Sequence, residues 1–265
     1  MIKSVLTSIP IYQSSLLLSP ASVIQKIKAL QRHFLWEGRK QSRRKMHLIN
    51  CRKTSKPLWE GGLNFKITQA QNLSLGEKLL WMMVTCKPTW SKLALWKKYF
   101  RGTRDRCLDF PCRESKGSPI FTLCKKALPH FSPHLTWVPR NRKKNKIWQD
   151  SIMGDPPLEL RQDLLRLKVW MESQNIITLF DISIWGEDKF MTWQGWGVPN
   201  RPPDLERDWC TLQCYLQGKA PLRKEGKDER GWGGNAKAYT TIEGYHLITS
   251  VPTALPNPAI WRAIW

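Results

Sequence analysis

Apolar residues recur at spacings of three and four along much of this chain, a period that restricts it to a mainly α fold. The clearest case follows Ser19-Pro20, a capping residue and then proline at the first helical position. Val23, Ile27, Leu30 and Phe34 come next on one helix face, and Gly38 ends the segment. The same spacing predicts a short helix over 1–9 (Ile2, Val5, Leu6, Ile9), broken by Pro10. It predicts others over 69–85 (Leu73, Leu79, Leu80, Met83) and 89–100 (Trp90, Leu93, Trp96). Towards the C-terminus, 158–172 presents Leu160, Leu164, Leu167 and Trp170, and 203–217 presents Leu205, Trp209, Leu212 and Leu216. Asp204 and Glu206 suit the positive end of that helix dipole. Thr240 and Glu243 form a capping-box signature for a last helix over 241–249.

Between these segments the chain changes character. Residues 101–150 carry Pro111, Pro119, Pro129, Pro133 and Pro139, and read as loop-rich with one short helix opened by Ser118-Pro119. Gly218–Gly234 is charged and glycine-containing, and reads as a linker or mobile loop. No fixed-period repeat is present, which argues against a solenoid. Three stretches are therefore expected. Residues 1–100 form a helical bundle holding a basic segment at 39–56, 101–157 a basic Pro-rich connection, and 158–265 a helical but irregular region rich in Trp.

Charge bears on partners. With 43 Lys+Arg against 21 Asp+Glu, the 265-residue chain carries a net +22. At 41% hydrophobic residues it can still bury a core, so wholesale disorder is excluded. An excess of this size implies a polyanionic partner, nucleic acid first and acidic membrane second. Seven cysteines at irregular spacing make no disulfide framework and fit a reducing compartment, cytoplasm or nucleus. Lys3 before the uncharged residues 4–24 loosely imitates a secretion signal. Pro10, Gln13, Ser14 and Ser15 interrupt its apolar run, and no run is long enough for a membrane span.

Four motifs occur in order over residues 1–81. They are Ile2-Lys3-Ser4-Val5-Leu6 continuing to Ile9-Pro10-Ile11-Tyr12, then Phe34-Leu35-Trp36-Glu37-Gly38 with Lys45-Met46-His47-Leu48-Ile49, then Gly61-Gly62-Leu63, then Asn72-Leu73-Ser74-Leu75-Gly76 with Leu79-Leu80-Trp81. Together they resemble the segment just after the palm of plant LINE-type (non-LTR) retrotransposon reverse transcriptases. Ile147-Trp148 with Asp150, Ile152, Gly154-Asp155 and Pro157-Leu158, and then Ile177–Ile182, are similar to later blocks of that family. Ile260-Trp261 and Ile264-Trp265 resemble the entry to its zinc-binding segment. The resemblance implies a helical thumb-like bundle, a template–primer partner (RNA or RNA–DNA duplex), and the palm domain as a second partner. It also implies no polymerase activity in this chain alone, because the family's clustered aspartates have no counterpart: the sequence holds no Asp-Asp pair. Met1 then corresponds to an internal methionine of the family pattern, and Cys51 stands where the family carries Trp.

Within 39–56 the basic residues Arg39, Lys40, Arg43, Arg44, Lys45, Arg52, Lys53 and Lys56 have no acid among them. Such a run neutralises phosphates and releases counterions, which gives sequence-independent binding. The alternative is a solvated loop. Arg140, Arg142, Lys143 and Lys144, in the run 140–146, are either a weaker phosphate contact or a plain charged turn. Trp36, Trp81, Trp96, Trp170 and Trp209 sit at helical spacing and read as core, whereas Trp137, Trp148, Trp193 and Trp196 are the candidates for stacking on bases.

Cys107-x4-Cys112 before His130-x3-His134 imitates a zinc site, but the gap is long, and Pro129 and Pro133 are expected to break the helix between the histidines. Cys210 and Cys214 share a helix face and read as buried thiols. No catalytic constellation, metal site or cofactor motif is legible, and Gly231-Trp232-Gly233-Gly234 lacks the lysine of a phosphate loop. Two other readings stay open: an interaction remnant without independent activity, and a secreted basic, Trp-rich membrane-active protein.

Overall fold

The computed structural model describes residues 11–36, 54–56, 58–85, 118–185, 191–193, 202–219, 226–234 and 237–250. The fold is mainly α. Its helices are α1 (Ile11–Leu16), α2 (Ala21–Trp36), α3 (Thr68–Val84), α4 (Pro119–Phe131), α5 (Leu165–Ser173), α6 (Glu206–Lys219) and α7 (Thr241–Thr249). The helices expected over 1–9 and 89–100 lie outside the described residues.

The centre of the first half is α3, against which α1, α4 and α7 pack. Its buried residues include the apolar Leu80, Met83 and Val84 but also Gln71, Asn72, Ser74 and Glu77. Asn72 explains part of this polar burial. Its Nδ2 donates to the Ser14 and Leu17 carbonyls (2.6 and 2.9 Å), and its Oδ1 accepts from the Ser19 N–H at 2.9 Å. One side chain thus satisfies the turn between α1 and α2, where backbone groups would otherwise be unpaired. Gly76 allows α4 to approach, because a Cβ there would stand 3.0–3.1 Å from Leu123 and Ala127. The motif Asn72–Gly76 is therefore a packing device.

The buried face of α2 is not centred on its apolar stripe. Ile24 is buried, while Val23, Leu30 and Phe34 are 44%, 58% and 38% exposed. On a helix, Ile24 lies about a quarter turn from the Val23–Phe34 stripe. The stripe therefore lies to one side of the α2–α3 contact, with Ile27 partly buried and Val23, Leu30 and Phe34 toward solvent.

Local signals elsewhere hold. Ser118 caps α4 by accepting from the Phe121 N–H, with Pro119 at the first position. Pro129, expected to break this helix, sits inside its last turn, and the helix runs on to Phe131. Thr240 caps α7 by accepting from the Glu243 N–H at 3.3 Å. The segment expected as one helix over 158–172 is instead two 3-10 turns, Leu158–Leu160 and Gln162–Leu164, before α5. Neither turn has a side-chain cap, so nothing local starts the helix sooner.

Among the described residues, four strands form two antiparallel ladders: β1 (Leu135–Val138) with β4 (Glu229–Trp232), and β2 (Ser183–Trp185) with β3 (Met191–Trp193). The first corrects the reading of Gly218–Gly234 as a linker or mobile loop at its C-terminal end, where Leu135 pairs with Trp232 and Val138 with Glu229; residues 220–225 lie outside the described residues. Strand pairing supplies what a four-residue segment lacks by itself.

Two hydrophobic clusters result among the described residues. One joins Leu80, Met83 and Val84 of α3 to Phe121, Cys124, Ala127 and Phe131 of α4, to Leu135, Trp232 and Tyr239. Inside it Phe131 stacks on Trp232 at 5.1 Å, and Tyr239 meets Trp232 edge-on at 4.7 Å. The other gathers Ile147, Trp148, Ile152 and Leu158 with Leu164, Leu167 and Met171, and with Leu205, Trp209, Leu212 and Leu216 at their expected spacing. Cys210 and Cys214 fall off that α6 stripe and are exposed, contrary to their reading as buried thiols. No helix among the described residues is long and apolar enough to cross a membrane.

Candidate nucleic-acid interface

The basic positions Arg39, Lys40, Arg43, Arg44, Lys45, Arg52 and Lys53 lie outside the described residues. Lys56, at the end of that segment, pairs with Glu60 at 3.4 Å. Most of the +22 charge likewise falls on residues outside the described set.

The second basic run is well defined, and it is a clasp. Pairing of β1 with β4 sets Asp228, just before β4, opposite the chain leaving β1. Asp228 Oδ1 accepts from the backbone N–H of Arg140 and of Arg142, both at 2.7 Å, and Oδ2 accepts from the N–H of Lys144 at 3.0 Å. Alternate N–H groups converging on one anion form a nest, helped here by a left-handed backbone at Arg142 (φ 63°). The run is also sewn to the block 177–182: Phe180 N–H donates to the Arg142 carbonyl, Leu179 N–H to the Asn145 carbonyl, and Ile147 N–H to the Ile177 carbonyl. That block is held by Asp181, which accepts from the N–H groups of Ile177 and Thr178.

The clasp sorts the four candidates. Arg142 is 1% exposed, which corrects its assignment as a phosphate contact. Burial brings its guanidinium down to about 10, against the opposing pull of the Asp228 charge. Arg140 forms an exposed ion pair with Glu229 at 2.9 Å. Lys143 and Lys144 are exposed, and so is Lys227 beside Asp228. The Lys143 ammonium lies 5.1 Å from the Phe180 ring centre. Asp228 therefore holds the backbone so that Lys143 and Lys144 face solvent while Arg142 is sealed inside. The signal in the sequence that bears on this is the Asp228-Glu229 pair between Lys227 and Arg230.

The stacking candidates divide too. Trp137 and Trp148 are 8% and 3% exposed, so neither offers a face to a base. Trp137 instead lies under the Arg230 guanidinium at 3.5 Å, its cross-strand partner in the ladder. Trp209 is buried, and Trp81 and Trp170 pack against the two clusters, as expected. Trp96 and Trp196 lie outside the described residues, and the side chains of Trp36 and Trp193 are likewise outside them. Cys107 and Cys112 also fall outside; among the described residues no His, Cys, Asp and Glu cluster could hold a metal.

Against known proteins, no family model matches this chain, and no solved structure matches it. It is 32% identical over 163 residues to a putative ribonuclease H protein of Arabidopsis thaliana. The match takes in 60% of this chain and 26% of that relative, so the chain spans about a quarter of the relative's length.

Proposed function

We propose that this chain is the helical, non-catalytic stretch that follows the palm of a LINE-type reverse transcriptase, and that it grips nucleic acid through the phosphate backbone. The run Arg39–Lys53, basic without a single acid, carries this reading. The ordered motifs of residues 1–81 support it, as does likeness to a relative named for ribonuclease H. Lys143 and Lys144, exposed on the clasp, add a smaller contact. Binding is then independent of base sequence and strongly salt-dependent, and the chain has no polymerase activity by itself.

Affinity for an RNA–DNA duplex, measured by fluorescence anisotropy across a salt series, tests this. Each phosphate contact adds about 0.7–0.9 to the slope of log affinity against log salt. The variant Arg43→Ala/Arg44→Ala/Lys45→Ala is expected to lose roughly two units of that slope. Lys143→Ala/Lys144→Ala is expected to lose less. A flat slope in the wild type, or an unchanged one in the triple variant, overturns the proposal.

A second reading, a piece that docks on another protein surface such as the palm, is favoured by one observation. Val23, Leu30 and Phe34 form an apolar stripe along the solvent side of α2. Light scattering should find the wild-type chain self-associating as concentration rises. Leu30→Gln/Phe34→Gln should remove that association while shifting stability by no more than about 0.5 kcal/mol, as for exposed positions. Association that persists in the double variant would reject the stripe as its cause.

A further inference from the structure

Tyr239 lies in the segment leading into α7, and its hydroxyl meets two groups of α3. The Ser74 carbonyl oxygen is 2.6 Å away and Glu77 Oε2 is 2.8 Å away. A phenol has one proton to donate, and a backbone carbonyl only accepts. With the proton directed to the nearer Ser74 oxygen, the contact to Glu77 is satisfied when the carboxyl itself carries a proton and donates it to the phenol oxygen.

The surroundings suit a neutral acid. Glu77 is 1% exposed. On the elements packed against α3, α7 carries Glu243, Tyr245 and His246, α4 carries Lys125, Lys126 and His130, and α2 carries Lys26, Lys28, Arg32 and His33. α1 carries the exposed Tyr12, and Lys78, next to Glu77 on α3, is exposed. None of these pairs with Glu77; among the described residues its partner is Tyr239. Tyr245 is engaged elsewhere, its hydroxyl accepting from the Ile67 N–H at 2.9 Å. The backbone of α7 closes over the pair at Gly244, where an added Cβ would overlap both the Tyr239 hydroxyl and Glu77 Oε2. Helix and acid are thus in direct contact, with no room between them for water.

We propose that a proton held between Glu77 and Tyr239 latches α7 onto α3, and that removing this proton releases α7. Ionised, Glu77 would compete with the Ser74 carbonyl for the single Tyr239 proton and would leave a charge buried against Gly244 without a cation.

Burial lifts the Glu77 carboxyl from 4.5 to about 7, with the Tyr239 hydrogen bond pulling the other way. The folded state therefore binds this proton more tightly than the unfolded state does. The latch is at full strength below about 4.5, weakens as pH rises through about 7, and changes no further above that.

The test is hydrogen exchange of the Thr241–Thr249 amides in the full chain, corrected for intrinsic rate, between about pH 5 and pH 8. Wild-type protection is expected to fall by up to about tenfold per pH unit until about pH 7. Glu77→Gln places a permanent N–H donor against the phenol oxygen, so its α7 protection should lose that pH dependence. Equal pH dependence in both proteins, or pH-independent protection in the wild type, overturns the proposal. Should Glu77→Gln not fold, a 13C titration of the wild-type Glu77 carboxyl decides. A midpoint near 7 supports the latch, and one below about 5 sinks it.

Discussion

Replacing Asp228 by alanine is expected to destabilise the protein by about 3–5 kcal/mol. The carboxylate is 3% exposed and accepts three backbone N–H bonds, from Arg140, Arg142 and Lys144. Removing it leaves those donors without their acceptor, and a buried donor left unpaired costs about 1–3 kcal/mol. It also takes the counter-charge from Arg142, whose side chain is 1% exposed. Water reaching Arg140 and Lys144 recovers part of the loss, which sets the upper bound. Asp228→Asn should fall between, because its remaining oxygen still serves Arg140 and Arg142 while its NH2 opposes the Lys144 N–H. Urea unfolding gives the numbers. Lys144→Ala, on the same loop with an exposed side chain and its backbone N–H retained, is the control, and should change stability by less than about 0.5 kcal/mol. A loss below about 1 kcal/mol in Asp228→Ala would mean that the nest is not what holds β1 to β4.

Gly154→Ala is the second large effect, expected near 3 kcal/mol or more. Gly154 has φ +93°, where a side chain is strained, and an added Cβ would overlap the Gly234 Cα. Two backbones meet there, the loop after Ile152 and the turn after β4, so neither can yield by rotating a side chain. Gly233→Ala separates strain from overlap. Its φ is +61° but nothing lies within 4 Å of the added Cβ, so it should cost about 1 kcal/mol. Urea unfolding of both variants checks the order. Equal losses would show that strain alone, and not the contact of the two turns, decides the cost at Gly154.

These two sites show why the basic run misleads when read alone. Four positive residues between 140 and 144 have the composition of a phosphate contact, and the residue that organises them lies in another part of the chain. Asp228 turns the run into a structural clasp, buries Arg142, and leaves Lys143 and Lys144 outside. The Gly231–Gly234 stretch, which lacks the lysine of a phosphate loop, finds its use in the same place: Trp232 enters the core and Gly234 meets Gly154. Ser74 and Glu77 of α3 were legible only as helix residues. Their contact with Tyr239 depends on how α7 packs, which no spacing along the chain encodes.

The sequence by itself determined the mainly α character and the ends of its best helices. The Ser118-Pro119 start of α4, the Thr240–Glu243 cap of α7 and the buried stripe Leu205, Trp209, Leu212 and Leu216 all depend on groups within a few residues of one another. Only the tertiary structure decided the rest. It paired β1 with β4, turned Ile24 rather than Val23 and Phe34 toward α3, and exposed Cys210 and Cys214. The physical reason is the same in each case. Caps and periods fix the conformation of a segment and its candidate faces, but which face is buried, and which charge meets which partner, is settled by contacts between residues far apart in the chain.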